Sequence, residues 1–228
     1  TPRTIQAKSY QGYKGTSTVS FYYWQEAIHP KKCQDIIDEF DDVDELQADT
    51  GMYQGREALF PDEIRRYKEE DLWDYETDAP TKGVLKEIRE TKLNWLDSPH
   101  PMNKIVLDYV TETNKKVWHY ALSKMTPCQF GKYDVGGFYG WHQDSGYSWA
   151  ETENELRKLS VTVQLSSPDD YEGGEFQFWS GNGDPEVPPI QSQGSILVFD
   201  SRMWHQVTPV TRGVRYSLVS WILGPPFV

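Results

Sequence analysis

Four side chains carry the clearest chemical potential in this chain: His142, Asp144, His205 and Arg215. His142 and Asp144 stand two positions apart in Gly140-Trp141-His142-Gln143-Asp144, so in an extended segment both project to one side. Two neutral imidazoles and one carboxylate can hold one face of an iron(II) ion, leaving three adjacent positions for a bidentate co-substrate and dioxygen. His205 is the best candidate for the second imidazole. Iron(II) with one carboxylate keeps a single positive charge, whereas a dianionic keto-acid brings two negative ones, so its far carboxylate calls for a separate cation. The guanidinium of Arg215 matches a carboxylate through two parallel hydrogen bonds. Ser217, two residues on and on the same strand face, can add a hydroxyl donor. Each of these residues taken singly has a structural explanation, and His29, His100 and His119 are read that way.

These residues need a scaffold, and composition bounds it. The 228 residues suffice for one substantial core, read as a single domain over 1–228. Aromatics reach 14%, including 9 Trp and 14 Tyr, which argues for a folded, sheet-rich protein and against disorder. A net charge of -12 disfavours nucleic acid or an anionic membrane as partner. Cys33 and Cys128 are far apart and in no metal-like spacing, which suggests free thiols in a reducing compartment. No apolar run approaches membrane-spanning length and the first residues do not form a signal peptide, so the expectation is a cytoplasmic protein.

Along the chain, residues 1–20 read as an irregular arm and 19–24 as an aromatic strand. Pro30 opens a helix with Cys33, Ile36, Ile37 and Phe40 on its buried stripe. The acidic run 38–45 reads as a solvated face. Residues 47–80 are weakly patterned, with a short helix expected at 62–70. Trp73 and Tyr75 there either face substrate or pack outside the barrel. Residues 86–96 fit a strand, and the first half fits a helix equally. Residues 103–122 give the clearest helix, with Ile105, Val106, Tyr109, Val110, Val117, Trp118 and Ala121 on its apolar face. From Cys128 onward short strands follow, at 129–133, 159–165, 174–179, 195–199, 205–207 and 215–222. Residues 181–185 form a turn. Helices followed by many strands indicate α+β, with a double-stranded β-helix (jelly roll, cupin-like) core at 128–223. Residues 1–127 supply the arm, support strands and helices packed on one sheet. A hairpin would make the His205 and Arg215 strands neighbours.

The segment Tyr133-Asp134-Val135-Gly136-Gly137-Phe138-Tyr139-Gly140-Trp141-His142-Gln143-Asp144 resembles the ligand strand of prolyl 4-hydroxylase-like iron(II)/2-oxoglutarate-dependent dioxygenases. Residues 157–166, with Tyr171-Glu172-Gly173-Gly174-Glu175-Phe176, are similar to the next core strands, especially those of bacterial PKHD-type hydroxylases. Trp204-His205-Gln206-Val207 and Arg215-Tyr216-Ser217-Leu218-Val219-Ser220-Trp221 complete the pattern.

This resemblance implies Fe(2+) held by His142, Asp144 and His205, and 2-oxoglutarate paired at its distal carboxylate with Arg215. Tyr133 would hydrogen-bond that carboxylate, Gln164, Ser160 and Phe176 would line the co-substrate pocket, and Trp221 would pack below it. Dioxygen would be consumed and succinate and carbon dioxide released, with ascorbate as a supporting reductant. The leading expectation is hydroxylation of a prolyl residue in a protein or peptide. A free amino acid or another small metabolite is the alternative substrate, and a metal-binding module without turnover is the alternative class. Tyr139, Trp141 and the 145–155 loop, with Tyr147 and Trp149, are either a substrate lid or an ordinary connection.

Overall fold

Two runs with inverted alternation dominate the molecule. In 159–164, Leu159, Val161 and Val163 alternate with Ser160, Thr162 and Gln164; in 215–222, Leu218 and Ile222 alternate with Arg215, Ser217, Val219 and Trp221. A strand that is apolar on one face and polar on the other, yet buried on both, must separate a core from a polar interior. The computed structural model of the chain describes residues 3–11, 17–41, 46–47, 73–74, 79–80, 89–97, 99–145, 155–179 and 184–227.

In chain order the strands are β1 (Arg3–Gln11), β2 (Ser17–Gln25), β3 (Leu46–Gln47), β4 (Trp73–Asp74), β5 (Ala79–Pro80), β6 (Arg89–Glu90), β7 (Lys92–Trp95), β8 (Lys124–Met125), β9 (Gln129–Tyr133), β10 (Phe138–His142), β11 (Leu156–Gln164), β12 (Tyr171–Gly173), β13 (Phe176–Trp179), β14 (Ile196–Asp200), β15 (Trp204–Val207), β16 (Val210–Gly213) and β17 (Arg215–Gly224). Helix α1 spans Pro30–Phe40 and α2 spans Pro101–Lys116. The large sheet runs β1-β2-β14-β11-β17-β9-β7-β3, with β8 also on β17. The small sheet runs β13-β15-β10-β6. Strands β12 and β16 pair beside them, as do β4 and β5. All pairings are antiparallel.

The two faces of the large sheet have different tasks. Tyr22, Trp24, Phe130, Leu159, Val161, Val163, Ile196, Val198, Leu218 and Ile222 form one core with Cys33, Ile36 and Ile37 of α1 and Met102, Val106 and Val110 of α2. Phe21, Tyr23, Tyr133, Leu197 and Phe199, on the opposite face, pack with Phe176, Phe178 and Val207 of the small sheet. This is a jelly roll with its helices on one sheet, as the sequence suggests. Gly194 locks the large sheet to the start of α1. Its φ is +79°, its carbonyl accepts from Ile28 N, and a Cβ there would meet Ile28 O at 1.9 Å.

Several expectations change. Residues 3–11 are a strand rather than an irregular arm, because β2 offers them a full backbone partner that their polar composition conceals. Helix α2 buries Met102, Val106, Val110 and Thr113, and it stops at Lys116. The Asn114 side chain bonds the backbone N and O of Tyr120 while His119 takes φ 54°, which turns the chain away. His29 and His100 cap the two helices through Nδ1, the structural roles expected of them. The acidic run is not wholly solvated, since Asp41 accepts from Lys132 Nζ and the Tyr216 hydroxyl, both at 2.7 Å. Cys33 and Cys128 are buried free thiols, pushed up to about 11 and about 12 by burial.

The strands of His205 and Arg215 are not neighbours: β15 pairs with β10 and β13, whereas β17 pairs with β11, β9 and β8. Between them β16 leaves to pair with β12, carrying the chain from one sheet to the other. The helix expected at 62–70 and the side chains of Trp73, Tyr75, Tyr147 and Trp149 lie outside the described residues, as does most of the 181–185 turn. No described helix is long and apolar enough to cross a membrane.

Candidate active site

His142 ends β10 and faces His205 on β15 as its register partner, with ring centroids 4.1 Å apart. Asp144 follows in a turn held by Ser201 O, which accepts from the backbone N–H groups of Asp144 and Ser145, both at 2.9 Å. His142 Nδ1 lies 2.8 Å from Gly140 O and His205 Nδ1 lies 2.9 Å from Met203 O. A carbonyl only accepts, so each Nδ1 carries its proton and each Nε2 presents a lone pair. Those nitrogens lie 3.7 and 3.5 Å from the two Asp144 carboxylate oxygens. One ligand atom from each of the three residues lies within 4.8 Å of the others, and all three residues are buried. Two imidazole nitrogens and a carboxylate converging on one point suit a divalent transition metal with open positions.

The electrostatics suit the same task. Burial, then the neighbouring His205, lowers His142 to about 3, against the opposing pull of Asp144. Burial alone would raise Asp144, but His205, His142, Arg157 and the Ser160 hydroxyl together hold it below the usual carboxylate range. A neutral imidazole and an ionised carboxylate are the forms that bind metal. Phe176 lies parallel to the His205 ring at 5.4 Å and Phe199 meets it edge-on at 4.8 Å, so the imidazole is packed on two sides. Tyr139 stacks on His142 at 3.6 Å, and its phenol is pushed up to about 12 by burial.

Arg215 enters the same cavity from the large sheet. It is among the largest fully buried side chains, and none of the described residues pairs it with a carboxylate. Its cross-strand partner is Tyr133, whose ring lies 5.2 Å from the guanidinium carbon, and its Nη1 reaches Ser217 Oγ at 3.5 Å. Gly174, at φ +59°, leaves room for the Arg215 stem, because a Cβ there would meet Arg215 Cδ at 2.9 Å.

The remaining predicted residues divide between two cavities. Ser160, Ser217, Tyr133, Phe176 and Trp221 line the cavity of His142, Asp144 and His205. Ser160 sits at its metal end, on Asp144 and 2.8 Å from Ser201 Oγ. Gln164 does not line that cavity: it borders an adjoining one shared with Arg215 and Phe176, and its Nε2 donates to the Tyr171 hydroxyl at 2.7 Å. Thr162, Val207, Val219 and Arg89 also line the first cavity and were not singled out from sequence. The alternation along 159–164 and 215–222 could have found Thr162 and Val219; Arg89, in a segment of ambiguous period, had no such signal.

Residues 128–223 match the family model of the 2OG-Fe(II) oxygenase superfamily. A PKHD-type hydroxylase of Stenotrophomonas maltophilia (strain R551-3) is 38% identical over 100 residues, 43% of this chain and 44% of that one. The chain thus matches less than half the length of that relative. A PKHD-type hydroxylase of Delftia acidovorans (strain DSM 14801 / SPH-1) is 31% identical over 171 residues, covering 72% of this chain and 74% of that one. Among solved structures, a Pseudomonas putida prolyl-4-hydroxylase superposes with TM-score 0.56 at 20% identity, covering 91% of this chain and 94% of its own. A Trichoplax adhaerens prolyl hydroxylase in complex with a hypoxia inducible factor peptide fragment does so with TM-score 0.59 at 15% identity, over 89% and 83%. These two share the fold. Iron(II), 2-oxoglutarate and dioxygen are the cofactor and co-substrates that this family implies. The chain belongs to the 2OG-Fe(II) oxygenase superfamily, among the PKHD-type hydroxylases.

Proposed function

We propose that this protein is a 2-oxoglutarate-dependent hydroxylase whose leading substrate is a prolyl residue in a protein or peptide. The observation that carries the reading is the pairing of two unlike sites in one cavity: a buried two-histidine, one-aspartate cluster and, on the facing sheet, a buried guanidinium with no carboxylate partner among the described residues. A plain metal-binding module has no use for the second. In this reading His142, Asp144 and His205 hold iron(II), which supplies activation of dioxygen at the expense of 2-oxoglutarate decarboxylation to succinate and carbon dioxide. Arg215 pairs with the distal carboxylate of 2-oxoglutarate, assisted by Tyr133 and Ser217, and so fixes how far the keto-acid reaches toward the metal. Phe176, Phe199, Val207 and Val219 keep water from the reacting atoms. Gln164 and Tyr171, joined by a hydrogen bond, line the adjoining cavity that Arg215 also borders, and Ser160 holds the Asp144 carboxylate in its ionised form.

The prolyl substrate rests on likeness to hydroxylases of that kind. The test is production of succinate from 2-oxoglutarate with iron(II) and ascorbate, followed by mass spectrometry of prolyl peptides and free amino acids for addition of one oxygen. An Asp144→Ala variant serves as the control. Succinate without oxygen transfer to any prolyl peptide would remove the prolyl assignment and leave the oxygenase.

A further inference from the structure

Arg89, on β6, is a second buried cation at this site. It lines the cavity of the metal ligands, its Nε has no hydrogen-bond partner, and none of the described residues offers it a carboxylate. Its guanidinium carbon lies over the Tyr139 ring, 4.4 Å from the centroid. Tyr139 in turn stacks on His142, so guanidinium, phenol and imidazole form a three-layer stack ending at a metal ligand. A ring contact uses the face of a guanidinium and leaves its in-plane fork of N–H donors unspent. Leaving a buried, charged donor such as the Arg89 Nε unsatisfied is costly, so a role limited to holding Tyr139 would not need an arginine.

Counting charge gives the sign of the missing partner. With iron(II), Asp144, 2-oxoglutarate and Arg215 all present, the groups that line the cavity are balanced; Arg89 adds one positive charge that none of them cancels, and Arg157, which acts on Asp144 from outside the lining, is a further cation and supplies no anion. The acidic surface of the chain as a whole does not reach this enclosed position, where local pairs dominate. Distance gives the size of the partner. The two stacking steps of 4.4 and 3.6 Å place the Arg89 guanidinium no farther from the His142 ring than about two residues of extended chain.

We propose that Arg89 binds a carboxylate of the primary substrate, so that the oxidised carbon belongs to the same residue as that carboxylate or to the next one. This deepens the hydroxylase reading, on which it rests. It selects a free amino acid or the C-terminal residue of a peptide over an internal residue of a long chain. The shared chemistry is a terminal carboxylate, and the two sources are separable by experiment.

The protein loaded with Mn(II) and 2-oxoglutarate is titrated calorimetrically with the twenty free amino acids and their primary amides, and with prolyl dipeptides carrying a free or amidated C terminus. At least one acid is expected to bind about 30-fold more tightly than its amide, the scale of a charge-assisted bidentate pair. A free amino acid or a dipeptide as that ligand tells the sources apart. In Arg89→Gln the acid-to-amide ratio is expected to fall to near one. In Arg89→Lys, which keeps charge without the fork, it should fall only part of the way, and this second variant decides the matter if Arg89→Gln does not fold. Amides binding as well as acids, a ratio unchanged in the variants, or no carboxylate in the set being bound would each overturn the proposal. Succinate formation without any dependence of binding on Arg89 sinks this proposal alone. An Arg89-dependent preference without succinate formation sinks the hydroxylase reading and leaves the carboxylate site standing.

Discussion

His142 and His205 are register partners on adjacent antiparallel strands, and each proton-bearing Nδ1 is held by a carbonyl two residues earlier in its own chain segment, Gly140 O and Met203 O. The same local device, used twice, turns both Nε2 atoms toward Asp144. Metal affinity therefore belongs to the sheet geometry and should appear as stability. Adding Mn(II) at one hundred times its dissociation constant should stabilise the parent protein by about 2.7 kcal/mol. His205→Ala should lose that gain and bind less than one tenth as much metal by elemental analysis. An equal thermal shift in parent and variant would show that the metal sits elsewhere.

Replacing Arg215 tests the co-substrate clamp. Arg215→Gln removes a charge-assisted pair in a buried setting, where such losses reach 2 kcal/mol or more, so 2-oxoglutarate affinity should fall by about 30-fold or more. Metal content should be unchanged, because Arg215 lies on the other sheet. Calorimetry of 2-oxoglutarate binding to the Mn(II)-loaded variant measures the first, and elemental analysis the second.

Gly174 tests the same clamp from behind. A methyl group at this position would press on Arg215 Cδ at 2.9 Å and Val210 Cγ2 at 3.0 Å, on a backbone with positive φ. Gly174→Ala should weaken 2-oxoglutarate binding by about 10-fold while shifting the metal affinity little, and should cost on the order of 1 kcal/mol of stability. Unchanged 2-oxoglutarate affinity in a folded variant would mean that the Arg215 stem can shift freely.

Asp41 gives a pH signature away from the site. Burial alone would raise its carboxyl, but hydrogen bonds from Lys132 and Tyr216 and the charges of Lys132 and Lys92 hold it below its ordinary value of 3.8. A depressed carboxylate contributes stability above its ordinary value and loses that contribution as pH falls through the lower, folded value. Asp41→Asn should therefore be less stable than the parent at pH 6, by up to about 1 kcal/mol for a partly exposed pair. The difference should close as pH drops below about 4. Thermal unfolding of both proteins across that range checks it; a constant gap would assign the effect to shape and not charge.

Much of the site was legible because chemistry-bearing residues sit in strong local patterns. Strand β9 lies at 129–133 as its composition suggests, His142-x-Asp144 has the spacing of a strand end, and Arg215 opens a ten-residue strand of clear period. Period two says which side chains share a face, but it does not say which strand lies alongside. The hairpin expected of His205 and Arg215 failed for that reason: the residues between them, 210–213, pair with the three-residue strand β12, too short to show any period. Arg89 escaped notice because β6 has only two residues, and its role is set by what β10 presents to it. Gln164 shares the inward face of Ser160 and Thr162, yet it lies beyond the end of the cavity that they line. Facing direction is encoded locally; depth along a cavity is a property of the assembled sheets.

His142, Asp144 and His205 stand at the small sheet and the Arg215 guanidinium on the large one, so under the proposed function a 2-oxoglutarate molecule held at both ends would be a strut between two plates. Shape selection then falls on length: a keto-acid one methylene shorter or longer has to draw the plates together or push them apart, against the Phe176, Phe178 and Phe199 rings wedged between them. Rings packed like a solid resist that movement. Amide hydrogen exchange in β9 and β15 should accordingly slow together when metal and 2-oxoglutarate are both present, and in neither strand when one of the two is missing.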